Sequence, residues 1–90
     1  MKKYAFFLTE KAHNDLNLLA EKEKVRILRK LRFYSFSANP MLYAKKLTNF
    51  SGGQYRFRVG DYRVIFDLDE GGNIIILVIL AVRHRREVYG

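Results

Sequence analysis

The chain has no cysteine, no tryptophan and a single proline, and it is short of one sign of charge: nine Asp and Glu stand against seventeen Lys and Arg. Without cysteine there is no disulfide framework and no thiolate metal site, which fits a reducing cytosol. The longest apolar run, Ile74 to Val82, covers nine residues, too few to cross a bilayer as a helix. Met1-Lys2-Lys3 followed by Tyr4-Ala5-Phe6-Phe7-Leu8 has the order of a signal peptide. Its apolar part is only five residues long and runs into Thr9-Glu10-Lys11, too short for a signal's hydrophobic region. Paired carboxylates, a Ser-His-Asp order and metal-ligand spacings are missing, and Gly52-Gly53 lacks the lysine of a phosphate loop. These absences predict a soluble cytoplasmic protein with no membrane association, no metal and no cofactor.

What is present points to one folded domain over residues 1–90. Ninety residues allow one core and not two, and a content of 49% hydrophobic and 14% aromatic residues belongs to a packed protein. A net charge of +8 in so small a chain favours an anionic partner: nucleic acid, anionic lipid or an acidic protein segment.

The pattern along the chain predicts an α+β layer fold, with the helices packed on one face of a small antiparallel sheet. Residues 2–8 read as a first strand. Thr9 is an N-cap with Glu10 in the first turn, and Ala12, Leu16 and Leu19 form an apolar helical stripe. Ala20-Glu21-Lys22-Glu23 interrupts it. A second stripe through Val25, Leu28 and Leu31 toward Phe36 gives either a second helix or one long helix broken near residue 21. Asn39-Pro40 supplies a cap with Pro at the first helical position, so a short helical turn is expected there. Beyond the Ser51-Gly52-Gly53 loop, Gln54 to Val59 alternates strictly, Gly60-Asp61 is a two-residue turn, and Tyr62 to Asp67 alternates on return. Asp69-Glu70-Gly71-Gly72 makes the next turn, and Ile74 to Val82 reads as a central strand covered on both faces. These three strands form a meander.

With Gly60 and Asp61 as the turn, Val59 faces Tyr62, Arg58 faces Arg63, Phe57 faces Val64 and Arg56 faces Ile65. Opposed residues share a face. Tyr55, Phe57, Val59, Tyr62, Val64 and Phe66 therefore lie toward the core, and Arg56, Arg58 and Arg63 lie together on the other side. Like charges directly opposed cost up to ~1 kcal/mol. The arrangement makes sense when an anion sits between them, and phosphate suits the guanidinium fork best. If the last strand stays extended past Val82, Arg83, Arg85, Glu87 and Tyr89 point one way and His84, Arg86 and Val88 the other.

The segment Tyr55-Arg56-Phe57-Arg58-Val59-Gly60-Asp61-Tyr62-Arg63-Val64-Ile65-Phe66 resembles the central hairpin of the RelE/ParE toxins of type II toxin-antitoxin systems, and His84-Arg85-Arg86-Glu87-Val88-Tyr89 resembles their C-terminal motif. The order of elements matches too, including Asn39-Pro40 and the Lys46-Leu47 that precede the hairpin. In RelE-type members the basic sheet face binds messenger RNA in the ribosomal A site and cleaves it. The resemblance implies functional roles for Arg56, Arg58, Arg63, Arg85 and Tyr89, with Arg83 a rival to Arg85. This chain has arginine where RelE has lysine on the first strand, and Arg83 stands where glycine is common. It also implies an antitoxin partner, with messenger RNA and the ribosome as targets. ParE-type members share the fold but poison DNA gyrase by protein contact, and an inactive basic RNA-binding member is a third reading.

RNA is cut when its own 2′-OH attacks the adjacent phosphate. The step needs a base for the 2′-OH, cations for the phosphorane and an acid for the leaving 5′-oxygen. The resemblance assigns Arg58, Arg63, Arg85 and Tyr89 to catalysis, with Tyr89 acting at the 2′-OH or stacking on a base. Arg56, Arg83, Arg86, Lys45 and Lys46 are the expected RNA-holding cations. Arginine stays protonated and makes a poor base. His84 is the acid/base by residue type, although strand alternation turns it away from Arg83 and Arg85. His13 is expected at the surface of the first helix.

Overall fold

Thr9 and Asp15 join the first helix to the sheet. The Thr9 hydroxyl accepts the Ala12 N–H at 3.2 Å as an N-cap and donates to the Ile79 carbonyl at 2.7 Å. The Thr9 N–H donates to that same carbonyl at 3.1 Å. Asp15 Oδ2 accepts the Val82 N–H at 3.0 Å and also the Lys11 ammonium at 3.0 Å. These contacts fix helix against strand in the computed structural model, which describes residues 3–47 and 55–88, the side chains of 87 and 88 excepted.

The elements run β1 (Lys3–Leu8), α1 (Glu10–Asn17), α2 (Glu21–Phe36), a 3-10 turn (Pro40–Tyr43), β2 (Ala44–Lys46), β3 (Tyr55–Val59), β4 (Tyr62–Asp69), β5 (Ile74–His84) and α3 (Arg85–Val88). The two longer helices cover one face of a five-stranded sheet of order β1-β5-β4-β3-β2. The expected helix-on-sheet architecture and three-strand meander are present, and the chain breaks between two helices before residue 21. Asn39 caps the 3-10 turn, its side chain accepting the Met41 N–H at 3.2 Å.

Four features differ from the sequence reading. The sheet is mixed, because β1 returns to the centre and pairs with β5 in parallel, Lys3 with Ile74 through Leu8 with Ile79. β2 is an additional strand on the opposite edge, antiparallel to β3; its three residues are too few to show a period. In α2 the buried stripe is Ile27, Leu31 and Tyr34, while Phe36 is 78% exposed. Finally, β5 is central but covered on one face only: Ile74 stays 47% exposed and Phe7 of β1, opposite Val78, 59% exposed, on the side without helices. The Ser51-Gly52-Gly53 loop lies outside the described residues.

The core joins Ala12 and Leu16 of α1 and the α2 stripe to Phe57, Val59, Val64, Phe66, Leu77 and Ile79. Tyr34 packs on Phe57 with ring centroids 4.4 Å apart, and Phe57 stacks on Phe66 at 4.4 Å. This aromatic line adds about 0.5–1.5 kcal/mol per pair to the area it buries. It ties α2 to the hairpin.

Two predictions concern this frame. The Asp15 carboxylate is the acceptor for a strand N–H, and hydrogen bonds to charged groups are worth about 1.5–3 kcal/mol. Asp15→Ala is expected to lower the unfolding free energy by about that amount in urea titration; an unchanged midpoint would refute the role. Burial, and secondarily the Tyr43 phenol, raises the Tyr34 pKa above its ordinary 10.0. With the folded value above the unfolded one, the neutral phenol's stabilisation is complete below pH 10.0 and is lost as pH rises through the folded value. Tyr34→Phe should therefore lose stability less steeply than wild type above pH 10, as read by denaturant midpoints across that range.

Candidate nucleic-acid interface

The hairpin has the expected register: Val59 pairs with Tyr62, Arg58 with Arg63, Phe57 with Val64 and Arg56 with Ile65. Gly60 adopts φ of 59°, a left-handed conformation suited to glycine. A Cβ there would also lie 2.7 Å from Nη1 of Arg26, whose guanidinium reaches from α2 to the turn.

β5 extends the arginine pair into a row. Arg63 pairs with Arg83 on its other side, so Arg58, Arg63 and Arg83 stand abreast on three adjacent strands. Arg83 reaches this face because of a bulge. Ile65 pairs with Ala81 but Phe66 with Ile79, leaving Leu80 without an opposite residue. One extra residue reverses the facing of all that follow. Ile75, Leu77 and Ile79 face the helices before the bulge, and Val82 does so after it.

A second row lies beside the first: Lys45 pairs with Arg56, and Arg56 with Ile65. Ile65 and Ala81 are buried on this helix-free face, as expected beneath the aliphatic stems of long basic side chains. Arg58 is exposed, whereas Arg56, Arg63 and Arg83 are half-buried. The Arg83 Nε is buried and lacks a hydrogen-bond partner, a costly state for a cationic donor. Asp67 and Asp69 share the face but lie toward the opposite end of β4. The cations gather at the Gly60 end.

The remaining sequence-predicted residues divide. Lys46 pairs with Tyr55 and shares its face with the helix side, apart from the arginine rows. Extension beyond Val82 ends at His84, where the chain turns into α3, so the alternation expected through Tyr89 does not occur. The Arg85 N–H donates to the Asp61 carbonyl at 2.8 Å, and its Nε lies 3.6 Å from Asp61 Oδ1. Arg85 thus sits at the hairpin tip, one residue beyond β5, and Arg83 holds the in-register place. Arg86 is exposed, and its N–H donates to His84 Nδ1 at 3.2 Å. His84 lies on the helix side, edge-on to Tyr62 with centroids 5.3 Å apart. His13 is exposed on α1. Tyr89 lies outside the described residues. Sequence reading ranked Arg83 as a rival to Arg85 on the spacing of the C-terminal motif; the bulge that places Arg83 in register leaves no mark in the residue pattern.

This arrangement concentrates fixed positive charge without a group suited to move protons. It can bind and neutralise a phosphodiester, and guanidinium donors can stabilise charge building on a phosphorane. Among the described residues, no group of three or more His, Cys, Asp or Glu could hold a metal ion, and no helix is long and apolar enough to cross a membrane.

Residues 6–89 match the family model for the ParE toxin of type II toxin-antitoxin systems. The chain belongs to the RelE/ParE family of type II toxins. A structure of the RelBE2 toxin-antitoxin complex from Mycobacterium tuberculosis contains a similar chain, at 26% identity over 94% of each chain and a TM-score of 0.74. A chain of the RelB-RelE antitoxin-toxin complex from Methanococcus jannaschii is similar in fold, at 23% identity, 92% of this chain, 94% of that one and a TM-score of 0.54. No curated protein gives a significant match.

If the row neutralises phosphates, binding of single-stranded RNA should weaken with salt at a slope of about −0.7 per phosphate contacted. Arg58→Ala, Arg63→Ala and Arg83→Ala are each expected to flatten that slope by about 0.7, and Lys46→Ala to leave it unchanged. Fluorescence anisotropy across a salt series checks this, and equal slopes in all four variants would remove phosphate from the row.

Proposed function

We propose that this toxin is a ribosome-dependent endoribonuclease that cuts messenger RNA in the A site. The observation that supports this most is the in-register row of Arg58, Arg63 and Arg83. Opposed arginines repel, by up to ~1 kcal/mol per pair, and a phosphodiester seated among them converts that repulsion into attraction. In this reading a base takes the 2′-OH proton, the 2′-oxygen attacks phosphorus, and the P–O5′ bond breaks as a 2′,3′-cyclic phosphate forms and the 5′-oxygen leaves with a proton from an acid. Arg58, Arg63 and Arg83 hold the charge of the phosphorane, with Arg85 adding to it from the hairpin tip. Arg56 and Lys45 hold the RNA strand, and Tyr89 serves at the 2′-OH or stacks on a base. A cognate antitoxin, as in the RelBE2 and RelB-RelE complexes, would restrain the activity.

A second reading is favoured by the description of the matched family model: a ParE-type toxin that disables DNA gyrase by protein contact. The two differ in what the arginine row does. Cell-free translation, with message cleavage mapped at the A site and gyrase supercoiling measured in parallel, separates them. The ribonuclease reading expects cleavage by wild type and a fall of at least about 100-fold in Arg63→Ala and Arg83→Ala, the scale of a lost charge-stabilising group. Intact message with inhibited supercoiling would transfer the assignment to gyrase.

A further inference from the structure

The first N–H groups of a helical turn have no partners within it, and in α3 both of the first two are met from outside. Arg85 N–H is taken by the Asp61 carbonyl at 2.8 Å, and Arg86 N–H by His84 Nδ1 at 3.2 Å. His84 is the last residue of β5, paired with Tyr62, and its ring meets that tyrosine edge-on at 5.3 Å. The same two residues line a cavity of about 150 Å³ with Asp15, Leu18, Leu19 and Val82. The imidazole is therefore on the far side of the sheet from Arg58, Arg63 and Arg83.

We propose that His84 is a positioning residue: its imidazole caps the C-terminal turn through Nδ1 and so holds Arg85 at the hairpin tip, without touching RNA. Accepting at Nδ1 requires the neutral ring with its proton on Nε2. Tyr62 and the cavity walls fix the ring plane, so the acceptor is presented to Arg86 at little further entropic cost. Aspartate, otherwise a strong cap, would add a second carboxylate to a cavity already lined by Asp15. The effect on cleavage rests on the ribonuclease reading; the cap itself does not.

The test compares His84→Ala, which removes the acceptor, with His84→Asn, which supplies another in cap position. The full chain is used, with two readouts: hydrogen exchange of the Arg86 amide, and A-site cleavage. In His84→Ala the amide should exchange about fivefold faster and the cleavage rate fall about fivefold, the scale of a lost helix cap, with little change in KM. His84→Asn should restore both. If the Arg86 amide exchanges equally in wild type and His84→Ala, the cap is refuted. An asparagine variant that protects the amide yet cleaves no better than alanine would make the imidazole a chemical participant and overturn the positioning role. If wild type cleaves no message, the ribonuclease reading fails by itself, and the exchange pattern decides whether the cap stands. Should His84→Ala not fold, His84→Gln gives the same contrast, because its acceptor lies one bond too far out and should leave Arg86 unprotected.

Discussion

The unpaired residue at Leu80 is the constraint on which the basic face depends. β5 carries the core residues Ile75, Leu77 and Ile79 at odd positions. Continued without interruption, that phase would bury Arg83 beneath the helices, where an unpaired guanidinium costs several kcal/mol. The bulge turns Val82 inward and Arg83 outward. It also occurs where β5 loses its parallel partner, because β1 ends opposite Ile79. Beyond that point the free edge is completed by α1: Thr9 bonds the Ile79 carbonyl and Asp15 takes the Val82 N–H. Helix packing and the facing of Arg83 are thus one structural event.

A sheet that lines up three arginines needs stability from elsewhere. The opposite face supplies it through the aromatic line from Tyr34 through Phe57 to Phe66 and the aliphatic contacts beside it. Phe57 lies between Arg56 and Arg58 in sequence, and Val64 follows Arg63, so the same strands carry both the repulsion and what offsets it. Alternation separates the two by the thickness of a sheet. The carboxylates Asp67 and Asp69 lie toward the far end of β4, and Asp61 at the Gly60 end sits against Arg85.

How much of this was legible in the residues depends on range. The hairpin was readable pair by pair, because a two-residue Gly-Asp turn between alternating strands permits one register. Thr9 and Asn39 were readable as caps because capping is local chemistry. The parallel return of β1 was not, since nothing in residues 3–8 names a partner seventy residues away. β2 was too short to show a period. The apolar run from Ile74 to Val82 misled, because a strand at the centre of a sheet can be apolar on a face that no helix covers, and Phe7 and Ile74 remain exposed there. The bulge hid within the same run: where every residue is apolar, a change of phase leaves no trace.

The division of labour between the two faces bears on the chemistry. Phosphodiester cleavage needs charge stabilisation and proton transfer, and the arginine row can provide only the first, since guanidinium does not give up its proton at working pH. His84, the obvious residue for the second, is committed on the helix side, its Nδ1 bonded to Arg86 and its ring set against Tyr62. On the ribonuclease reading, proton transfer comes from beyond the row, where the Asp61 and His84 contacts hold the C-terminal turn. A family member could keep the hairpin arginines, and with them affinity for a polyanion, while losing cleavage through changes confined to its last few residues. On the proposed ribonuclease reading, the hairpin specifies what is held and the C-terminal turn decides whether it is cut.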